Sequence, residues 1–212
     1  MPIRTLERLV DGFRAFRESY YEANKPLFDA LAREGQAPKV MVIGCADSRV
    51  DPLLILGAGP GDVFVVRNVA NLVPPYAPDG RYHGTSAALE FAVQVLGVEH
   101  IVVLGHAQCG GVRALIEGSP VAGKGDDFVG AWMSIAGAAR DRVAALPVSR
   151  RQRAGEHATV KVSLDNLMTF PWIAERVAGS RLALHGWYFD IETGRLLQLD
   201  PSSQSFRDMP ET

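Results

Sequence analysis

Two cysteines and one histidine are the residues of this chain whose types and positions could hold a metal ion. Cys45 directly follows the apolar stretch V-M-V-I-G, and His106 directly follows the apolar stretch I-V-V-L-G, with Cys109 three residues later. Ligand sites in parallel α/β sheets form at the carboxyl ends of strands, so these three side chains could meet there. Zinc accepts thiolate and imidazole ligands, and three protein ligands would leave its fourth tetrahedral position open, as in catalytic zinc sites.

Chemistry alone leaves two interpretations of these residues. The soft thiolates favour zinc over magnesium or calcium, and the chain has no third cysteine to complete a closed structural site. Free cysteines are also common as small buried side chains, and a redox pair of Cys45 and Cys109 would leave His106 without a role.

Asp47 and Arg49 lie in the segment that follows Cys45. Residues two apart in an extended loop point the same way, so Arg49 could bind the Asp47 carboxylate with two hydrogen bonds. This contact would lower the pKa of Asp47 and keep it ionised, ready to accept a proton from metal-bound water. The alternative is a surface ion pair, which contributes little.

The apolar pattern predicts an α/β fold. Strands are expected at residues 39–44, 62–66, 100–105, 182–190 and 195–200, and helices at residues 85–96, 110–117, 128–145, 149–168 and 171–178. Strands that alternate with helices imply a central, mostly parallel sheet flanked by helices, and the last strand adds an antiparallel edge.

One domain is expected over residues 1–212. It would comprise an N-terminal helical arm at 1–35, a zinc-binding α/β core at 36–200 and a frayed tail at 201–212. The arm should be interrupted near Asn24 and Pro26, because proline resists a helix interior. The glycine-rich residues 119–127 are expected to form a loop.

Composition narrows the class of protein. The formal net charge is −2, which gives no general attraction for nucleic acid. The first residues lack the apolar core of a signal peptide, and no apolar run reaches membrane-spanning length. These features predict a cytoplasmic protein with reduced thiols and no membrane partner.

Five motifs together resemble those of the β-class carbonic anhydrases, in their plant-like subtype. They are C-A-D-S-R at 45–49, R-N-V-A-N-L-V-P-P-Y at 67–76, G-T-S-A-A-L-E-F at 84–91, G-H-A-Q-C-G-G at 105–111 and S-L-D-N-L-M-T-F-P-W at 163–172. The resemblance implies reversible hydration of carbon dioxide to bicarbonate and a proton by zinc-bound hydroxide. It also implies one Zn²⁺ per subunit and a homodimer or a dimer of dimers.

The resemblance also assigns residues to roles. Cys45, His106 and Cys109 become the metal ligands, and Asp47 and Arg49 the catalytic pair. The substrate pocket would be lined by Gln36, Phe64, Val69, Phe91 and Gly110, with Gln36 reaching in from the partner side. Phe91 departs from the plant-like pattern, which has tyrosine there.

Another subtype has a regulatory bicarbonate site built from tryptophan, arginine and tyrosine. This chain keeps only the arginine, as Arg67, and has Val42 and Phe189 at the other positions. The sequence therefore predicts that this regulatory site is absent. Tyr82 and His83 are weak candidates for a proton shuttle.

Three other functions share parts of this pattern. A related zinc hydrolase could act on carbonyl sulfide or carbon disulfide on the same scaffold. A non-catalytic zinc-stabilised oligomer would need a fourth ligand or would lack the Asp47–Arg49 pair. A nucleotide-binding Rossmann module is disfavoured, because the first strand leads into G-C-A-D-S-R and not into a glycine-rich fingerprint.

Overall fold

A computed structural model describes residues 3–118 and 127–210 of the chain. Most of the glycine-rich segment, for which a loop was predicted, lies outside these ranges. The chain divides into two compact units, Met1–Ala37 and Pro38–Thr212. The first contains the predicted arm, and the second contains the strands of the described residues.

The N-terminal unit is helical, as predicted. Helix α1 covers Ile3–Ala15, a π-helical turn covers Phe16–Tyr21, and helix α2 covers Lys25–Glu34. The predicted interruption is confirmed, because α2 begins at Lys25 with Pro26 in its first turn. Apolar residues of the unit remain exposed, namely Leu6, Leu9, Val10, Phe13 and Phe16.

Six strands form one sheet in the order β2-β1-β3-β4-β5-β6. Their bounds are Val40–Cys45, Val63–Asn68, His100–His106, Ala183–Phe189, Leu196–Asp200 and Ser205–Asp208 for β1 to β6. The first four are mutually parallel, and β5 and β6 are antiparallel. The predicted mostly parallel sheet with an antiparallel edge is confirmed.

The expectation of a frayed tail is wrong for the segment that forms β6. Phe206 packs against the rings of His157 and Tyr188, and this apolar contact anchors the strand. The Asp200 carboxylate accepts hydrogen bonds from the backbone N–H groups of Ser202 and Ser203, which shapes the turn before β6. A single aromatic residue and one turn therefore add a strand to the sheet.

The helices surround this sheet. Their bounds are Pro52–Leu56, Gly84–Glu90, Gly110–Glu117, Phe128–Met133, Gly137–Val143, Val148–Leu167 and Pro171–Ala178 for α3 to α9. A π-helical turn, Phe91–Leu96, continues α4, and 3₁₀ turns cover Val69–Asn71 and Ser134–Ala136. The single helix predicted at 128–145 is thus two helices separated by a 3₁₀ turn.

Helix α8 packs closely against strand β3, which ends at His106. A Cβ atom added at Gly105 in β3 would lie 2.6 Å from Val160 Cγ2, so glycine permits this close approach. The contact brings the buried face of α8 beside His106 and the turn that follows it.

Candidate metal centre

Cys45, His106 and Cys109 meet at the carboxyl ends of β1 and β3. Their candidate ligand atoms all lie within 4.8 Å of one another, and the two Sγ atoms are 3.9 Å apart. The meeting follows from the sheet, because β1 and β3 are adjacent parallel strands whose Gly44 and Leu104 are paired. All three side chains are buried.

The ring of His106 is oriented for metal binding. Its Nδ1 lies 2.8 Å from the carbonyl oxygen of Ala107, so we assign the ring proton to Nδ1, which donates to that oxygen. Its Nε2 is buried without a hydrogen-bond partner among the described residues. The free lone pair of Nε2 thus faces two thiols in a buried space, and a set of two sulfur donors and one imidazole nitrogen fits zinc.

The two thiols influence each other's ionisation. The hydrogen bond with Cys109 lowers the pKa of Cys45, and the same contact together with burial raises the pKa of Cys109. One thiolate is therefore favoured before metal binds, and a bound cation would favour the second.

Cys109 is held by a buried polar network on α8. The carboxylate of Glu156 accepts hydrogen bonds from the Cys109 backbone N–H at 3.1 Å, from Gln152 Nε2 at 2.6 Å and from the Tyr188 hydroxyl at 2.7 Å. Gln152 Nε2 also lies 3.0 Å from the Cys109 carbonyl oxygen and donates to it. Burial raises the pKa of Glu156, and the three donors oppose that shift.

Sequence reasoning missed Glu156. It is 2% exposed, on the same helical face as Val160 and Ser163. An acidic residue at the spacing of a buried face was the signal that could have identified it.

The predicted pairing of Asp47 and Arg49 is present. Arg49 Nε donates to Asp47 Oδ1 at 2.9 Å, and Arg49 Nη2 donates to Oδ2 at 2.7 Å. The backbone N–H of Arg49 also donates to Oδ1, at 3.0 Å. These contacts hold the pKa of Asp47 well below its usual range. Arg49 Nη2 further donates to the Gln108 carbonyl oxygen at 2.9 Å, which links the segments after β1 and β3.

The predicted pocket residues fall into three groups. Gly110 begins α5 directly after Cys109, and Val69 lies against that helix, because a Cβ at Gly111 would be 2.7 Å from Val69 Cγ1. Gln36 is an exposed residue of the N-terminal unit.

Phe64 and Phe91 form the third group, with ring centroids 6.0 Å apart. Phe64 is paired with Met41, whereas Cys45 is paired with Asn68. Four residues of strand separate Phe64 from the level of Cys45, a distance of about 13 Å. Within one chain, Phe64 therefore lies well away from the metal ligands.

Comparison with known proteins decides the family. The family model described as carbonic anhydrase matches residues 40–196, which include all three candidate ligands. The chain belongs to the β-carbonic anhydrase family. It is 39% identical to β carbonic anhydrase 3 of Arabidopsis thaliana, over 89% of this chain and 74% of that protein. It is 41% identical to a carbonic anhydrase of Pseudomonas aeruginosa, over 96% of this chain and 91% of that protein.

Solved structures agree with this assignment. The β-carbonic anhydrase CcaA superimposes with a TM-score of 0.91 at 33% identity, covering 98% of this chain and 93% of that one. A tetrameric β-carbonic anhydrase of Sordaria macrospora gives a TM-score of 0.79 at 33% identity, covering 92% and 97%.

These findings confirm the function predicted from the motifs. The chain is a carbonic anhydrase, a zinc enzyme that interconverts carbon dioxide and bicarbonate. The sulfur-analogue hydrolase, the structural zinc protein and the Rossmann module are not favoured. Among the described helices, none is both long and apolar enough to cross a lipid bilayer.

Proposed function

We propose that Asp47 and Arg49 are the catalytic pair of this carbonic anhydrase, at a zinc site formed by Cys45, His106 and Cys109. The main support is that the three candidate metal ligands are buried together. Asp47 lies next to them in the chain, and Arg49 donates hydrogen bonds to both of its carboxylate oxygens. The chemistry that zinc supplies when bound is that of a Lewis acid, which makes a water molecule acidic enough to lose a proton.

Asp47 acts as a hydrogen-bond acceptor and not as a proton store. Arg49 stabilises its ionised form so strongly that Asp47 stays a carboxylate across the working pH range. A fixed acceptor orients the remaining proton of the nucleophilic oxygen, and this leaves a lone pair directed at carbon dioxide. The departing proton must reach buffer by another group, for which Tyr82 and His83 remain candidates.

The substrate pocket is completed by a second subunit. Val69 and Gly110 lie beside the metal ligands of their own chain, whereas Phe64 and Phe91 belong to another part of the subunit surface. Phe91 is 42% exposed although it is aromatic. We assign Phe64, Phe91 and Gln36 to the pocket of a partner chain, where apolar rings suit carbon dioxide. The homodimer is therefore the smallest active assembly, and a dimer of dimers is compatible with it.

The primary test is stopped-flow hydration of carbon dioxide at about pH 8.5 on protein of known metal content, with Cys109→Ala alongside. We expect activity with one zinc per chain in the wild type and loss of both in the variant. Hydration that persists in the zinc-free variant, or full zinc occupancy without hydration, would contradict the proposed site.

Mixing Gln36→Ala with Cys109→Ala tests the shared pocket, because we expect each variant alone to lose activity. Gln36→Ala keeps its own metal ligands, and Cys109→Ala keeps its own Gln36. If Gln36 serves the partner, mixed dimers regain activity at one of their two sites. Absence of recovery in mixed dimers of verified composition would show that Gln36 does not act across the interface.

Two further assignments follow the motifs. The arginine of the regulatory subtype, Arg67, is engaged by acceptors of its own chain, and Val42 is fully buried. We therefore place the enzyme in the plant-like subtype, for which bicarbonate should inhibit without cooperativity.

Both cysteines are free, and the thiolates that zinc needs persist in a reducing compartment, which supports a cytoplasmic location. Cell fractionation tests the location.

A further inference from the structure

Two histidines face each other at the amino end of the sheet, where β3 and β4 begin. His100 Nδ1 lies 3.1 Å from His185 Nε2, and the centroids of the two rings are 5.2 Å apart. Their meeting follows from the strand register. His185 is paired with Val102, and His100 precedes Val102 by two residues, so both side chains project from the same face of the sheet.

This pair of histidines is well separated from the candidate zinc site. His100 begins β3 and His106 ends it, and a strand of that length spans about 20 Å. The pair shares no residue with the zinc site or with the proposed substrate pocket. Its chemistry is therefore separate from the hydration of carbon dioxide.

The facing ring nitrogens can bind a cation at neutral pH. Burial, together with the positive charge that His100 carries when protonated, lowers the pKa of His185 below its usual value. A neutral imidazole can carry its single proton on either nitrogen, so both facing atoms can offer a lone pair to a cation. His100 is exposed and His185 is half-buried, so an ion can reach the pair from solvent.

The separation of the two nitrogens matches binding of one metal ion by both rings. Imidazole nitrogens lie about 2.0–2.1 Å from a bound zinc ion, and two of them 3.1 Å apart subtend an angle of roughly 100° at the ion. This angle lies between the right angle of square-planar and octahedral sites and the tetrahedral angle. The ion would lie to one side of the line that joins the nitrogens, which requires a small rotation of the exposed His100 ring.

The charges around the pair are compatible with a bound cation. Glu99 precedes His100, and its carboxylate lies 2.8 Å from Lys39 Nζ. Arg181 lines a surface cavity together with Glu99 and His100, and it is paired with Glu175 at 3.0 Å. Both neighbouring cations thus have anionic partners. Among the described residues, the group of three candidate metal ligands is that of the zinc site, so water would complete the coordination of an ion held by the two imidazoles.

We propose that His100 and His185 form a second metal site, which binds a divalent first-row transition ion such as Cu²⁺, Ni²⁺ or Zn²⁺ through two imidazole nitrogens. Imidazole suits all three ions, and Cu²⁺ binds nitrogen ligands most tightly among them. A bound ion would join β3 to β4 at the end of the sheet opposite to His106. The site does not depend on the roles proposed for the catalytic residues.

Copper titration of the zinc-loaded enzyme tests this site. Electron paramagnetic resonance reports the number of nitrogen nuclei bound to Cu²⁺, and elemental analysis reports whether zinc stays in place. With one equivalent of Cu²⁺ per chain, we expect a two-nitrogen spectrum and an unchanged zinc content. In His100→Ala the affinity for Cu²⁺ should fall by about tenfold or more, because one of the two protein ligands is gone.

His83→Ala is the matched control for His100→Ala. His83 is a histidine on another part of the chain, where its ring contacts the carboxylate of Asp79. This variant should keep both the copper spectrum and the copper affinity of the wild type.

Trp187 provides an independent readout of the same site. Its ring centroid lies 6.4 Å from that of His185, and a paramagnetic Cu²⁺ ion this close quenches tryptophan fluorescence. We expect the first equivalent of copper to quench part of the wild-type emission and to leave that of His100→Ala nearly unchanged. In Trp187→Phe, copper should give the same two-nitrogen spectrum without this quenching.

Several results would overturn the proposed site. A one-nitrogen spectrum, or a two-nitrogen spectrum that persists in His100→Ala, would show that copper binds elsewhere. Release of zinc, with absorption from sulfur-to-copper charge transfer, would show that copper occupies the zinc site instead. If the zinc-loaded enzyme binds no copper, the contact of the two rings is a hydrogen bond that only joins β3 to β4. Each of these results is read without measuring hydration, so the proposed function is tested separately.

Discussion

The two strand ends that supply the metal ligands are held in different ways. The segment after β1 is fixed by arginines that reach it from the side, Arg67 and Arg49, whose side chains are 29% and 50% exposed. The turn after β3 is fixed from within the core by Glu156, which is 2% exposed. One end is restrained by partly hydrated charged donors, and the other by a buried carboxylate.

This difference matches what each end must do. Cys109 and His106 need only remain in place as ligands. A buried hydrogen-bond network holds them there, because replacing its bonds by bonds to water costs free energy in the core. Asp47 must present a carboxylate beside the metal without binding it, so its segment needs a restraint that fixes orientation. Bidentate arginine contacts provide that directionality at an accessible site.

The largest effect should come from Glu156→Ala. The change would leave the Cys109 N–H and the Tyr188 hydroxyl without an acceptor in the core, whereas the Gln152 amide would keep the Cys109 carbonyl oxygen. Each buried unpaired donor costs about 1–3 kcal/mol, so we expect a loss of about 3–5 kcal/mol in the unfolding free energy of metal-free protein, with weaker zinc binding. Urea unfolding and a chelator competition measure the two effects.

Glu175→Ala is the control for Glu156→Ala, since Glu175 lies on the exposed face of α9 with a side chain that is 76% exposed. It should change stability by less than about 0.5 kcal/mol. Equal effects of the two variants would show that the β3 end does not depend on the buried network.

Acid should lower the unfolding free energy through His157 of helix α8, whose ring lies against β4 and β6. Its ring packs on Tyr188 and Phe206, and burial together with Arg153 and Lys161 lowers its pKa from 6.5 to about 4. The unfolded chain binds this proton more readily, so stability falls as the pH drops from about 6.5 toward 4. The full loss below that range is about 3 kcal/mol.

The measurement for His157 is the unfolding free energy of metal-free protein between pH 7 and pH 4. His157→Phe removes the titrating group and keeps a ring in the same contact, so its curve should be flatter than that of the wild type. Parallel curves for the two proteins would refute the assignment.

Adjacent glycines at the start of α5 offer a finer comparison. A Cβ at Gly111 would lie 2.7 Å from Val69 Cγ1 and 3.1 Å from Ala70 Cβ, whereas a Cβ at Gly110 meets nothing within 4 Å. Gly111→Ala should therefore cost about 1–3 kcal/mol through overpacking. Gly110→Ala should be neutral or stabilise by up to about 1 kcal/mol. The measurement is the midpoint of thermal unfolding of both variants in metal-free form. Equal shifts of the midpoint would contradict the close packing of Gly111 against Val69 and Ala70.

The sequence predicted the parts of the site that depend on local spacing. The apolar runs before Cys45 and His106 place both residues at strand ends, and the i, i+2 relation of Asp47 and Arg49 gives their ion pair. The adjacency of β1 and β3 follows from common parallel topology, and the structure confirms it.

Contacts between distant segments were not predictable in this way. Glu156 accepts a hydrogen bond from Cys109, which lies 47 positions away in the sequence. Arg67 donates to backbone carbonyl groups, and because every residue has one, the residue types do not reveal this contact. The offset of Phe64 depends on the register of β2 against β1, which the sequence pattern does not encode. The strand β6 is anchored by a single aromatic residue, Phe206, which is too weak a pattern for periodicity to reveal.

Arg49 bridges the two strand ends, so Arg49→Lys tests whether they act as one unit. Its Nη2 donates both to Asp47 and to the carbonyl oxygen of Gln108. A lysine keeps the charge but cannot form the two parallel bonds to the carboxylate. We expect hydration to fall by about tenfold while zinc content stays at one per chain, because no metal ligand changes. Arg14→Lys, in an exposed ion pair with Asp11, is the matched control and should leave the rate unchanged. Loss of zinc in Arg49→Lys would mean that the bridge supports the Cys109 turn as well, and that the two ends are not restrained independently.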